Sequence, residues 1–139
     1  HDIGKIGIRD DILLKPGPLS IDEFEKIKEH PIIGESIIGQ LGLWDREKII
    51  IRYHHERFDG SGYPEGLRGE EIPFLARILS IADVYDAMVS GRAYRDGMPR
   101  DDVLNIIRAE SGRQFDPHLV RLFLDLDRSR CFEPIYRSM

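Results

Sequence analysis

The chain has 139 residues, of which 41% are hydrophobic and 32% are charged, as expected of one globular domain with a real core rather than a disordered chain. A formal net charge of −5 argues against broad binding to DNA, RNA or membrane surfaces, but not against a small anionic ligand. The single cysteine, Cys131, excludes an internal disulfide, and no apolar run approaches the roughly 18 residues of a membrane span.

The first elements are helical. Residues 1–8 predict the tail of a helix, because apolar side chains recur at positions 3, 6 and 8. A loop follows over residues 9–19, where proline and glycine cluster. Ser20 begins the next helix, since Glu23 completes a Ser-x-x-Glu capping box. Pro31 removes a backbone hydrogen bond, which predicts a kink or break beside His30.

Four further segments complete the expected architecture. Asp45 caps a helix that is expected to continue through His54 and His55. The glycine-rich segment 57–73 predicts a long loop, and loops of this length tend to be functional. Residues 74–90 are apolar nearly all round, which is typical of a central bundle helix. One further helix starts at Pro99, and a last one is capped by Asp116-Pro117. The sequence has no alternation of apolar and polar residues that would predict β-strands, so the predicted fold class is all-α.

Asp83 lies in the middle of that apolar helix. Burying a bare carboxylate is costly, so we expect Asp83 to be paired or to bind a cation. One interpretation is a salt bridge to an arginine such as Arg77, and the other is metal ligation.

Histidines supply further metal-capable side chains. His1 and Asp2 offer an imidazole and a carboxylate that can bridge two metals, unless the pair is an accidental dipeptide. Lys5 follows Asp2 by three residues, on the same helical face, and can reach a phosphate oxygen or a leaving group. His54 and His55 are expected to project about 100° apart on a helix and so to reach neighbouring metals. The alternative is one core and one exposed histidine.

Two other histidines are interpreted differently. His30 lies beside the proline break and is either a further ligand or a partly exposed residue at a helix end. His118 has no matching partners nearby, and we interpret it as a surface residue. Arg92 and Arg95 follow the Asp83 helix and suit phosphate, although each alone is as readily part of a solvated face.

The motifs together resemble the HD-GYP family, a branch of the HD phosphohydrolase superfamily. The resemblance runs from His1 to about Phe123, and it is carried in the family's order by HDIGKIGI, KPG, KEHP, HHERFDGSGYP, GEEIP, RILSIADVYDAM and FDP. It implies an HD-domain helical bundle over residues 1–126 that lacks its N-terminal helices, followed by a C-terminal tail over 127–139.

The resemblance also implies a set of site residues. Two or three divalent ions, iron or manganese, would be held by His1, Asp2, His30, His54, His55 and Asp83. Asp2 would be the bridging carboxylate, and Lys5 would lie near the scissile phosphate. The substrate would contact Lys5, Gly62, Tyr63, Pro64, Arg92 and Arg95.

The implied activity is hydrolysis of cyclic di-GMP to pGpG and onward to GMP. We expect the chain to be a piece of a longer cytoplasmic signalling protein, regulated by an N-terminal receiver or sensor domain and tethered to the membrane if that domain is. The resemblance leaves open a homodimer or a GGDEF-type partner. It also leaves open a module that binds cyclic di-GMP or a partner without turnover, and an HD phosphohydrolase of another nucleotide.

Overall fold

The computed structural model describes residues 1–42, 45–90 and 97–128, and within these ranges it is an all-α bundle without strands, which confirms the predicted fold class. None of the described helices combines the length and the hydropathy that a membrane span requires. Two 3₁₀ helices cover Ile3–Gly7 and Gly69–Glu71. The α-helices are α1 Asp10–Leu13, α2 Ile21–Ile27, α3 His30–Gln40, α4 Asp45–Tyr53, α5 Phe74–Val89, α6 Arg100–Ala109 and α7 Pro117–Arg128.

Local sequence determines where α2 and α3 begin and end. The Ser20 hydroxyl accepts from the Glu23 amide at 3.2 Å, and the Ser20 amide donates to the Glu23 carboxylate at 2.6 Å, which confirms the capping box. Helix α2 ends at Ile27 and α3 begins at His30 with Pro31 in its first turn, so the predicted break is also confirmed.

The first twenty residues differ in part from the predictions. The segment predicted as the tail of a helix, residues 1–8, contains a short 3₁₀ helix, Ile3–Gly7. The segment predicted as loop contains the four-residue helix α1, in which Asp10 and Asp11 occupy the first turn. Acidic residues in a first turn complement the helix dipole and so favour a helix here. A loop was predicted instead because more weight was given to the proline and glycine that follow.

The main core lies between α5, α6 and α7. Its buried members are Ile81, Tyr85, Val103, Leu104, Ile107, Phe115, Leu119 and Val120. Asp116 caps α7 as predicted, because its carboxylate accepts from the His118 amide at 2.8 Å. The other oxygen of Asp116 accepts from Arg77 at 2.6 Å, which fastens α7 to α5.

The 3₁₀ helix meets α3 at two glycines. A Cβ atom on Gly4 would lie 1.8 Å from the carbonyl oxygen of His30 and 2.5 Å from the nitrogen of Gly34. A Cβ atom on Gly34 would lie 2.8 Å from the Ile51 side chain of α4. The three elements therefore approach more closely than any other residue type would allow, and the approach brings residues 1 and 2 beside the start of α3.

This contact predicts that Gly34→Ala destabilises the protein, while Gly39→Ala on the same helix does not. The added methyl group at position 34 has no space, so we expect a loss of about 1–3 kcal/mol in the free energy of unfolding. A Cβ on Gly39 would meet only the flexible Lys48 side chain at 3.5 Å, so alanine should be neutral or stabilising by up to about 1 kcal/mol. Urea titration of both variants checks this, and equal stabilities would contradict it.

Candidate metal centre

Four separate segments contribute the predicted metal ligands. His1 and Asp2 precede the first 3₁₀ helix, His30 begins α3, and Asp83 lies in the middle of α5. The prediction that His54 and His55 lie on a helix was wrong, because α4 ends at Tyr53. Both histidines lie in the turn that follows, with ring centroids 4.1 Å apart. The turn lets the two rings face the same cluster.

The Asp2 carboxylate lies at the centre of the cluster, and its two oxygens face different neighbours. Oδ1 lies 3.4 Å from Nε2 of His30 and 3.9 Å from Nε2 of His54. Oδ2 lies 2.6 Å from Nζ of Lys5 and 3.8 Å from Nε2 of His1. This is the arrangement that a carboxylate needs if it is to bridge two cations.

Two of the imidazoles are oriented by backbone carbonyl groups. Nδ1 of His30 donates to the carbonyl of Ile27 at 2.7 Å, and Nδ1 of His54 donates to the carbonyl of Ile51 at 2.6 Å. With both Nδ1 atoms acting as donors, each Nε2 points into the cluster, and the two Nε2 atoms lie 3.5 Å apart. Two Nε2 lone pairs that face each other would repel, and a proton or a metal ion held by both nitrogens would remove that repulsion. Orientation of a ligating histidine through its second nitrogen is usual at metal sites.

Burial keeps the imidazoles of His54 and His55 neutral. The His54 side chain is 0% exposed, and burial lowers its pKa to about 4. Burial lowers the pKa of His55 to about 3, with the neighbouring histidines adding to the effect. The pKa of Asp2 lies well below its usual range because His30 and Lys5 bond to its carboxylate. Neutral imidazoles and an ionised carboxylate are the protonation states that metal ligation requires.

Among the residues that the structure describes, Asp83 pairs with His1 and not with an arginine. Oδ1 of Asp83 lies 3.2 Å from Nε2 of His1, and this contact raises the pKa of His1 and lowers that of Asp83. The predicted alternative, a salt bridge from Asp83 to Arg77, was wrong, because Arg77 is bonded to Asp116. Asp83 is also less buried than the apolar helix suggested, with a side chain that is 30% exposed.

The loop that follows the histidines is held by a residue that sequence reasoning missed. Glu56 is 3% exposed, and its carboxylate accepts from the backbone amides of Glu65, Gly66 and Leu67 at 2.8 to 3.1 Å. The only sequence cue was its position directly after His54-His55. A buried glutamate of this kind is stable because the amides replace its hydration.

The same loop places an aromatic ring against the cluster. A Cβ on Gly62 would lie 2.3 Å from the nitrogen of Arg57, so only glycine fits there. Tyr63 therefore stacks on His55, with centroids 4.8 Å apart and planes 24° apart, and Pro64 follows it. Burial raises the pKa of Tyr63 to about 12, so its hydroxyl stays protonated at neutral pH.

The remaining predicted residues have mixed outcomes. Lys5 contacts the central carboxylate, as its spacing from Asp2 suggested. His118 is exposed, which confirms its interpretation as a surface residue. Arg92 and Arg95 lie outside the described residues.

A cavity of about 440 Å³ opens beside the cluster. Its walls include His54, His55 and Asp83 on the side of the cluster. Tyr63 and Phe24 form an aromatic wall, with ring centroids 6.5 Å apart. A cavity of this volume can hold a small molecule beside the cluster.

Comparison with known proteins identifies the class of protein. Residues 1–119 match the family model described as HD domain. The chain is 47% identical over 126 residues to the cyclic di-GMP phosphodiesterase response regulator RpfG of Xanthomonas campestris pv. campestris, with 89% of this chain and 33% of that protein covered. It is 45% identical over 130 residues to a cyclic di-GMP phosphodiesterase of Thermotoga maritima, with 92% of this chain and 35% of that protein covered.

A solved structure agrees. A crystal structure of a cyclic GMP-AMP specific phosphodiesterase of Vibrio cholerae superposes with a TM-score of 0.68 at 29% identity, covering 86% of this chain and 27% of the other. The chain belongs to the HD domain family, in its HD-GYP branch. It spans about a third of the length of the two curated relatives.

The lowered histidine pKa values predict that the metal-free protein loses stability in mild acid. Burial lowers the pKa of His54 from its ordinary value of 6.5 to about 4, so its contribution to stability is present above about pH 6.5 and is lost as the pH falls towards 4. His55 acts in the same direction, whereas His1, with its raised pKa, opposes it. The contribution of Asp2 is fully present above its ordinary pKa of 3.8 and changes only below that pH, so Asp2 does not affect the comparison of pH 7.5 with pH 5. We expect a net loss of about 1–2 kcal/mol between pH 7.5 and 5.

Thermal unfolding in a chelating buffer at the two pH values measures this loss. In His54→Gln the difference between the two pH values should shrink, whereas His118→Gln, at an exposed position, should keep it. A stability that is unchanged or higher at pH 5 would contradict the conclusion that His54 and His55 are buried in the neutral form.

Proposed function

We propose that this chain is the catalytic domain of a metal-dependent phosphodiesterase that hydrolyses cyclic di-GMP. The observation that carries the proposal is the position of Asp2, whose two oxygens face two separate groups of potential ligands. His30, His54 and His55 surround one side, within 4.8 Å of each other and of Asp2. His1 and Asp83 lie on the other side, 3.2 Å apart. Both groups have the nitrogen and oxygen donors that iron and manganese accept.

The proposed ligands of two or three divalent ions are His1, Asp2, His30, His54, His55 and Asp83. Such ions supply positive charge for phosphate oxygens and make a nearby water more acidic. The carbonyl groups of Ile27 and Ile51 keep two imidazoles in the tautomer that presents Nε2 to the site. Tyr63 covers one face of His55 and limits access of water from that side.

Lys5 has two consistent roles in the proposal. Its ammonium group lies 2.6 Å from Oδ2 of Asp2 and therefore keeps that carboxylate ionised. At the same position it can donate a hydrogen bond to a phosphate oxygen or to the departing 3′ oxygen during cleavage. The proposed substrate contacts are Lys5, Gly62, Tyr63, Pro64, Arg92 and Arg95.

The relatives support the substrate class. Two are named cyclic di-GMP phosphodiesterases, and we propose the same substrate here, with pGpG, GMP or both as products. Another cyclic dinucleotide is the second candidate, because the solved relative from Vibrio cholerae is named as specific for cyclic GMP-AMP. A module that binds without turnover is disfavoured, since all six proposed ligands carry donor side chains and lie around one site.

The relatives also support a regulatory setting. One of them is named a response regulator, and the chain spans about a third of its length. We propose that the complete protein is a cytoplasmic signalling enzyme in which a receiver or sensor domain controls this one. Self-association or a GGDEF-type partner is compatible with this role.

Asp2→Asn tests the proposal. The amide cannot bridge two cations, so the complete natural protein should lose bound metal together with at least about a hundredfold in turnover of cyclic di-GMP. Asp86→Asn on α5 is the matched control, because Asp86 is exposed and its carboxylate accepts a hydrogen bond from the Ser90 hydroxyl, away from the proposed ligands.

Elemental analysis and a hydrolysis assay with Mn²⁺ or Fe²⁺ provide the two readouts. Full metal content with retained turnover in Asp2→Asn would refute the assignment. Turnover of cyclic GMP-AMP in preference to cyclic di-GMP by the wild type would favour the second candidate.

A further inference from the structure

Helix α2 and Lys28, the residue that follows it, contribute two side chains to the cavity beside the cluster of proposed metal ligands. Phe24 and Lys28 are one helical turn apart and both line it, although neither was predicted as a site residue. Phe24 is 45% exposed, which leaves apolar ring surface open at the cavity wall. Its ring meets Tyr63 edge to face, with centroids 6.5 Å apart, so the two rings form one continuous aromatic surface.

The ammonium group of Lys28 lies at the junction of these rings. Nζ is 5.1 Å from the centroid of Phe24 and 5.8 Å from that of Tyr63. Both distances are within the range of a cation–π contact. The rings thus hold a positive charge at the cavity wall, outside the cluster of metal-ligating side chains.

This charge is available to a ligand. Lys28 is paired with Glu25 at 2.6 Å, but Glu25 is 59% exposed and such surface pairs contribute little. Arg57, the arginine among the described cavity-lining residues, is more firmly engaged. It bonds to Glu110 and Ser61, each at 3.0 Å. A phosphate that enters the cavity would therefore exchange with Glu25 at Lys28 more readily than it would displace the partners of Arg57.

The chemistry of the proposed substrate requires such a position. A cyclic dinucleotide has two phosphodiester groups, and only one of them can lie at the metal cluster at a time. The other phosphodiester is an anion linked to riboses that each carry a base, so a cation beside an aromatic surface suits it. Aromatic side chains bind nucleobases by stacking, whichever base is present. A lysine binds phosphate as a point charge.

We propose that Phe24 and Lys28 form a subsite for the nucleotide that is not being cleaved. Lys28 binds the second phosphodiester, and Phe24 supports the adjoining base. This inference rests on the proposed function, and it names residues that determine the affinity for a dinucleotide without taking part in the chemistry.

A comparison of two substrates distinguishes a role in binding the second nucleotide from a general effect on the catalytic centre. Bis(p-nitrophenyl) phosphate has a phosphodiester but neither a second phosphate nor a nucleobase. In the complete natural protein, Lys28→Met and Phe24→Ala should each raise KM for cyclic di-GMP by roughly tenfold, the effect of losing one charge-assisted or stacking contact. The value of kcat for both substrates and KM for the small diester should change by less than about twofold.

Matched variants provide controls. Lys26→Met removes a lysine of α2 that pairs with Glu29 at 2.9 Å and does not line the cavity, so KM should remain at the wild-type value. Phe24→Tyr keeps the ring and should restore KM. Calorimetric titration of cyclic di-GMP into each variant provides a readout that is independent of turnover, and Kd should rise in parallel with KM.

The outcomes distinguish the two levels of the proposal. A wild type that hydrolyses cyclic di-GMP, combined with an unchanged KM and Kd in Lys28→Met and Phe24→Ala, would overturn the subsite alone. Equal losses on both substrates would also overturn it, because they indicate a damaged centre. If the wild type cleaves neither substrate, the proposed function fails. In that case, titrations of cyclic di-GMP that show the same Kd for the wild type and both variants overturn the subsite as well.

Discussion

The contact of Gly4 with Gly34 is the constraint on which the rest of the site depends. His1 and Asp2 directly precede the short 3₁₀ helix Ile3–Gly7, and the close approach of that helix to α3 places the Asp2 carboxylate beside His30. The same approach brings Ile51 of α4 against Gly34, so the turn that follows α4 is positioned by the same packing. Backbone proximity at two glycines therefore determines the geometry of a site whose chemistry resides in other residues.

The electrostatics of the cluster explain why such close packing is useful. Two imidazoles with their Nδ1 hydrogens committed to carbonyl groups direct their Nε2 lone pairs at each other, 3.5 Å apart. Burial of His54 disfavours the charged form of its imidazole. A buried arrangement of this kind is costly without a cation, and it favours metal binding because the ligands are already neutral and oriented.

Much of this could be predicted from the sequence, where the information was local. The capping box at Ser20, the break before Pro31 and the cap at Asp116 depend on a few adjacent residues, and the structure confirms them. The cluster of histidines and carboxylates was predicted through the resemblance, since spacing alone cannot show which distant segments meet.

The errors came from tertiary contacts. Periodicity could not show that α4 ends at Tyr53, because the chain then turns into a loop that Glu56 holds through three backbone amides distant from the helix in sequence. The partner of Arg77 was also beyond reach, since Asp116 is 39 residues away in sequence. The side chains of Phe24 and Lys28 in the cavity were missed for the same reason, because their role depends on Tyr63, which lies on a different segment.

The central claim is that one carboxylate bridges a polynuclear metal centre. The most direct test is the metal content of the complete natural protein, purified without chelator under anaerobic conditions and measured by inductively coupled plasma mass spectrometry. The account predicts two or three divalent ions per chain, predominantly iron or manganese. A folded protein that retains one ion or none after incubation with excess Mn²⁺ or Fe²⁺ would contradict it.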